Sequence, residues 1–368
     1  MKKVIVLLIN AMISLTLFGQ IQLSKSLKMK TIRAKSNVVS IREANVLNQN
    51  SWTVVPTVKP DVYETSSDRV TFITDLDSIS FKTKPGKCYD FVIIIEGDSA
   101  LTQIKCVPSK LEILKQAGGY TKTDTTELPH FYYETPQNAR LKDVKTYFKL
   151  DSIAGNGNEI SKILNIMYWI HSNVSHDGGN YALAEFDAID LYNYHKTTQK
   201  GINCRHLAIS LNEMYLSMGF KSRYITCLPK DEEDQDCHVI CSVWVDSLKK
   251  WIWIDPTFAA YIKDENGLLL GIEEVRERLI NGKPLILNED ANWNNRIKQT
   301  KELYLTNYMA KNLYWFQTPL SSQFNLESRY RNNNVKYVSL LPLGYTRSDI
   351  KDLGTIIHDP IYFWQNPK

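Results

Sequence analysis

The 368-residue chain has no low-complexity tract, no internal repeat and no block of basic residues. Its formal charge is only +4, so nothing in the charge pattern points to nucleic acid. Cysteine is scarce, with six residues at 88, 106, 204, 227, 237 and 241. No cysteine follows the apolar run at the N-terminus, which gives no reason to expect a lipid-modified end. A metal set is also missing. Cys227, Cys237, His238 and Cys241 are near one another in sequence, but Cys237 and His238 are adjacent and point to opposite faces of a strand. No cofactor is implied. What remains is an ordinary globular composition, 43% apolar and 23% charged, long enough for two or three compact units.

The N-terminus carries the one run that reads as a targeting signal. Lys2-Lys3 precedes an apolar stretch from Val4 to Phe18, and Gly19 supplies a small residue for cleavage near Gly19-Gln20. The stretch is short for a membrane span, so no stable insertion is expected once it is removed. Residues 1–20 are therefore expected to be a signal peptide. The mature chain is expected in the periplasm or outside the cell, where disulfides are permitted. Cys88 and Cys106 flank a pair of strand-like runs around Glu96-Gly97-Asp98. A three-residue loop would set them opposite each other as a candidate disulfide.

Residues 21–36 are polar and basic and read as a linker. From 37 to 108, short β-rich runs alternate with turn residues such as Lys84-Pro85-Gly86, predicting a small antiparallel β domain. Residues 109–150 read as a connecting segment. From 151 to 300 the pattern changes. Ile160, Ile163, Leu164, Met167 and Ile170 recur at helical spacing behind an Asn158 cap. A second helix starts at Asn203 or Cys204 and ends at Gly219, and three strand-like runs follow: 220–227, 237–245 and 251–255. The acidic run from Asp231 to Asp236 reads as a solvated connection. Residues 301–368 are rich in aromatics and read as an extension packed on this domain.

The chemistry gathers around Gly201-Ile202-Asn203-Cys204. A cysteine at a helix start gains from the unpaired N–H groups and the positive helix end, both of which favour thiolate. A thiol nucleophile also needs a base, a group to orient that base, and donors for an oxyanion. If Asp246-Ser247 is a two-residue turn, His238 lies directly opposite Asp255 on antiparallel strands. A loop two residues longer leaves them diagonal neighbours on the same face. Cys204 is thus the expected nucleophile, His238 the base and Asp255 its orienter. If Cys204 stays free, at least one other cysteine must also be unpaired. Trp244, Trp251 and Trp253 share the His–Asp face as candidate walls of a groove. One oxyanion donor is the backbone N–H of Cys204. The second is open among Tyr192, Tyr194, His195 and Gln199, of which Tyr194 and Gln199 are carried, with Trp244 and Trp253, as candidate substrate contacts.

The stretch Gly201-Ile202-Asn203-Cys204-Arg205-His206-Leu207-Ala208 resembles the helix start of the transglutaminase-like superfamily. His238 to Val245 and Trp251-Ile252-Trp253-Ile254-Asp255-Pro256-Thr257 are similar to its His strand and its Asp-Pro-Thr strand. The resemblance covers roughly residues 155 to 265 and departs at Val239 and Asn203. It implies a papain-like α+β domain, a helix packed on an antiparallel sheet, with a Cys204–His238–Asp255 triad. The implied activity is attack on an amide or peptide carbonyl, with a thioester resolved by water (peptidase or amidase) or by an amine (transglutaminase). Hydrolysis of a peptide, protein or cell-wall peptide is the expected reaction. The alternative is an inactive module of the same fold that binds peptide or carbohydrate.

Overall fold

The structure, a computed structural model, describes residues 29–56, 59–96, 98–122, 128–328, 335–348 and 353–368. The expected leader at 1–20 lies outside the described residues. The chain divides into two compact units, Met1–Ser109 and Lys110–Lys368.

The first unit is all β: β1 (Lys30–Ala34), β2 (Val38–Glu43), β3 (Val46–Thr53), β4 (Asp61–Thr65), β5 (Arg69–Ile73), β6 (Ser78–Lys82), β7 (Cys88–Ile95) and β8 (Asp98–Cys106). They form two four-stranded sheets, β1-β7-β8-β4 and β3-β2-β5-β6. Alternation along each strand sends one set of side chains inward. Val39, Ile41, Val70 and Phe72 from one sheet meet Ile32, Phe91, Ile93 and Ile104 from the other in a single core. The Phe72 and Phe91 rings touch edge to face across it, 5.0 Å apart.

Three expectations change here. The segment 21–36 is not simply a linker, because β1 lies within it and pairs with β7. The unit is not purely antiparallel, because β1–β7 and β4–β8 are parallel pairs. Cys88 and Cys106 do not form a disulfide. Ile95 faces Asp98, so the hairpin is one residue tighter than a three-residue loop requires, and Cys88 is set opposite Lys105. A one-residue change of register reverses the face. Cys88 is exposed and Cys106 is buried.

The second unit is α+β. Asn158 caps the helix Glu159–Asn173, accepting from the Ser161 N–H at 2.9 Å. The Glu159 carboxylate receives the N–H groups of Asp246 and Ser247 at 2.8 and 3.0 Å, which ties this helix to a hairpin turn. The helix Cys204–Ser217 is buried on every side from His206 to Ser217, as befits a central helix. Gly219, at φ +86°, lets the chain leave it.

The sheet packed on this helix has six strands, in the order Lys250–Ile254, His238–Val245, Ser222–Leu228, Trp315–Pro319, Tyr337–Leu340 and Thr355–Ile357. Half of it comes from beyond residue 300. The aromatic region therefore completes the sheet, with Trp315 and Phe316 almost wholly buried. The acidic run is anchored as well: Lys311 Nζ lies 2.8 Å from an Asp234 carboxylate oxygen and 3.1 Å from one of Asp236. Among the described residues no helix is long and apolar enough to cross a membrane.

Candidate active site

Gly201 is required by close approach. A Cβ there would stand 2.8 Å from Asp177 Cβ and 2.9 Å from both Asp177 N and His176 C. The segment Ser175–Asp177 runs alongside it. The Ile202 N–H donates to Ser175 O and the Asp177 N–H to Ile202 O, each at 2.9 Å. Asn203 follows as N-cap, its Oδ1 accepting from the His206 N–H at 3.0 Å. That capping bond gives a physical role to one departure from the family pattern. Cys204 is the first helical residue and is half-buried.

The two strands after the helix bring up the histidine and the aspartate. Val245 faces Lys250 and Cys241 faces Ile254. The turn is thus Asp246 to Lys249, two residues longer than the tightest hairpin, and His238 and Asp255 are diagonal neighbours on one face. The diagonal still closes, with His238 Nε2 lying 2.7 Å from Asp255 Oδ2. Both side chains are buried, at 1% and 0% exposure. The second Asp255 oxygen accepts from the Thr257 N–H at 2.8 Å, and the Asp255 N–H and C=O pair with Ala260.

Cys204 completes the set, with His238, His176 and the Val239 backbone as the polar neighbours that act on its thiol. Burial would push its thiol up. The bonds from His176 and His238, the His238 charge and the Val239 N–H together outweigh burial and bring it down to about 6. For His238, burial opposes the charged form, but the Asp255 carboxylate and then Cys204 prevail and hold it up at about 10. The pair therefore favours thiolate and imidazolium at neutral pH. Cys227, Cys237 and Cys241 move the other way, each raised first by burial. Among the described residues no group of three or more His, Cys, Asp or Glu is placed to hold a metal.

Four neighbours of the site have no counterpart in the sequence reading. Tyr304 donates to Asp255 Oδ2 at 2.6 Å and receives the Trp253 indole N–H at 3.0 Å. Tyr308, one turn on, puts its hydroxyl 3.4 Å from His238 Nδ1. Both lie on Glu302–Met309, a helix wound in the wider π form that recurs at functional sites. His171 reaches Pro256 O and Asn292 Oδ1, each at 3.0 Å, and pins the turn after the aspartate. His176 approaches from the segment beside Gly201. Paired tyrosines at i and i+4 were visible in the sequence as a signal, but only as one of packing.

The remaining candidates fall elsewhere. Trp253 is fully buried behind the triad, so it positions Tyr304 and does not line a groove. Trp244 packs edge to face on Trp251 and donates to Asp246 at the far end of its strand. Tyr194 shares Asn180, which also holds Gly201 O at 2.6 Å, so it supports the turn before Cys204. Gln199 is exposed and donates to Lys196 O on its own helix. Tyr192 is packed among Phe148 and Trp169, and His195 Nδ1 meets Lys200 O. A cavity of about 390 Å³ opens instead beside His176, Gly201, Trp293 and Arg296.

A cysteine on a helix start, facing a His–Asp pair on adjacent antiparallel strands, defines the papain-like α+β class of cysteine enzymes. Within that class, residues 148–256 match the model of the transglutaminase-like superfamily. No curated protein matches the chain. Among solved structures, a protein of Cytophaga hutchinsonii described as a candidate cysteine protease matches at 20% identity and a TM-score of 0.27. That match covers 41% of this chain and 49% of the other, so this chain spans about half the other's length.

Proposed function

We propose that this protein hydrolyses amide bonds in peptides by thiol acyl transfer, with Cys204 as nucleophile, His238 as acid and base, and Asp255 as the group that orients His238. One observation carries the reading: Cys204 is the first residue of its helix, and the imidazole beside it, His238, is held by the buried Asp255 carboxylate at 2.7 Å, an arrangement that draws the thiol below its usual range. The thiolate attacks the carbonyl carbon, and the C=O π pair moves onto oxygen. Collapse expels the amine, which takes its proton from imidazolium His238 and leaves a thioester on Cys204. His238, now neutral, removes a proton from water as the water attacks the thioester; the second tetrahedral intermediate then collapses, the C–S bond breaks, the acid product leaves, and Cys204 thiolate and imidazolium His238 are restored. The backbone N–H of Cys204, at a helix start, is one donor to the oxyanion.

Hydrolysis is taken over cross-linking because water is the acceptor in excess, and the residues beside the nucleophile turn, His176 and Gly201, line a cavity whose other borders, Gly178 and Arg296, are exposed. The N-terminal pattern of Lys2-Lys3 and the apolar run to Phe18 supports export, which sets peptides of the cell envelope or the surroundings as substrates. The test is incubation of native protein and Cys204→Ala with a library of peptides and cell-wall fragments. New amino termini that appear only with the native protein are expected. Ammonia release joined to new cross-links would assign transamidation. No Cys204-dependent product of any kind would leave the binding module as the correct reading.

A further inference from the structure

The triad accounts for nucleophile, base and orienter, yet a second imidazole also acts on the sulfur. His176 is bridged to Ile202, two residues before Cys204, and is one of the groups that draw the Cys204 thiol down. Its backbone is clamped on both sides by one residue. The His176 N–H donates to Asn294 Oδ1 at 2.7 Å, and Asn294 Nδ2 donates to His176 O at 2.9 Å. Its ring is clamped too, with Trp293 Nε1 lying 3.0 Å from His176 Nδ1. An indole nitrogen only donates, so Nδ1 must be the accepting nitrogen and the ring proton must sit on Nε2. The ring borders the open cavity that Gly178 and Gly201 also line. A Cβ at Gly178 would lie 3.5 Å from His176 Cε1 and 3.9 Å from Nε2, so the glycine keeps that edge of the ring uncovered.

We propose that the Nε2–H of His176 is the second oxyanion donor, acting with the backbone N–H of Cys204, and that Trp293 is the positioning residue that fixes its tautomer. The inference rests on the acyl-transfer reading above. With Nδ1 taken by the Trp293 N–H, Nε2–H is the nitrogen left to act on the sulfur. As the C–S bond forms, negative charge passes from sulfur to the carbonyl oxygen beside it, and a donor already at the sulfur can follow that charge without reorganisation. His176 is not a second base, because its only other nitrogen is engaged by the Trp293 N–H.

Two probes of Cys204 separate this role from a structural one. p-Nitrophenyl acetate acylates the thiolate through a tetrahedral oxyanion: the S–C bond forms, the C–O bond breaks, and p-nitrophenolate leaves with the electron pair. Iodoacetamide alkylates the same thiolate by displacing iodide at a saturated carbon, with no oxyanion. Both are run at about pH 8.5, well above the thiol's value of about 6, so that thiolate is not limiting. His176→Ala is expected to slow the p-nitrophenol burst about 100-fold, while His176→Gln, which keeps an N–H, recovers at least about tenfold of that loss. Alkylation is expected to stay within about threefold of native in both variants. Trp293→Phe, which frees the ring to take either tautomer, is expected to slow the burst and leave alkylation unchanged.

Equal slowing of both reactions in His176→Ala overturns the donor role. An unchanged burst in Trp293→Phe overturns the tautomer lock. If His176→Ala does not fold, judged by circular dichroism, the Gln and Trp293→Phe variants decide by the same comparison. Native protein that alkylates but gives no burst overturns the acyl-transfer reading itself, a result distinct from either variant's failure.

Discussion

The Tyr304 hydroxyl donates to Asp255 Oδ2 at 2.6 Å, the same oxygen that receives His238 at 2.7 Å. The orienting carboxylate is thus itself oriented, by a residue 49 positions downstream whose hydroxyl is held in turn by Trp253. Tyr304→Phe removes one charge-assisted bond of about 1.5 kcal/mol, so kcat is expected to fall about tenfold with KM unchanged. A change confined to KM would argue against a positioning role.

The thiolate–imidazolium pair sets the pH range of activity. The rate is expected to rise as Cys204 ionises near pH 6 and to fall as His238 deprotonates near pH 10. Iodoacetamide labelling should show the lower limb directly. His238→Ala should move that limb toward an ordinary thiol at about 8.5. Cys204→Ala should abolish both turnover and labelling at this site. A lower limb near 8.5 in the native protein would refute the ion pair.

His206 is buried between Phe186 and Tyr181, with ring centroids 4.5 and 5.1 Å away, and neither of its nitrogens has a partner among the described residues. Burial first, then the Arg205 charge, lowers it to about 4. Between its unfolded value near 6.5 and about 4, the unfolded chain therefore binds a proton that the folded one refuses, so stability is lost as the pH drops through that window. His206→Phe should add about 1 kcal/mol at pH 7, and its advantage should widen as pH drops through that window. Urea titrations at pH 7 and 4.5 measure this. A constant gap would mean that His206 keeps its unfolded value in the fold.

Arg223 is an almost wholly buried charge away from the site. Its guanidinium lies over the Phe131, Trp251, Phe363 and Trp364 rings at 4.5 to 5.3 Å and donates to Phe363 O. Arg223→Ala should cost about 3 kcal/mol through lost packing and cation–π contact. Arg223→Lys should recover little, because an ammonium cannot stack as a planar fork. Thermal melting of both variants tests this.

The His238–Asp255 pairing was legible because alternation along strands fixes the face. Only the turn length stayed open, and either length keeps the two residues on one face. The same rule misled at Cys88 and Cys106, where a one-residue difference in the hairpin turns one thiol outward and the other inward. His176 and Tyr304 were not legible. Each meets the site through partners far along the chain, Trp293 for one and Asp255 for the other, and no local periodicity records such contacts. Locally, His176 reads only as a residue just past a helix and Tyr304 as one aromatic among many. The Asn294-Asn295 pair, both at positive φ, is the one nearby trace of the hairpin that clamps His176.

The strand Ser222–Leu228 lies between His238–Val245 and Trp315–Pro319, with Leu228 facing Trp315. A fragment cut at the recognisable boundary near residue 256 would strip that second neighbour and leave a row of bare amides beside the nucleophile helix, an invitation to intermolecular pairing. It would also take Tyr304 from the aspartate. The stretch by which the family is recognised is therefore not a transplantable part. Any expression trial or chimaera has to carry the chain through the Thr355–Ile357 strand to obtain a soluble product with an ordered triad.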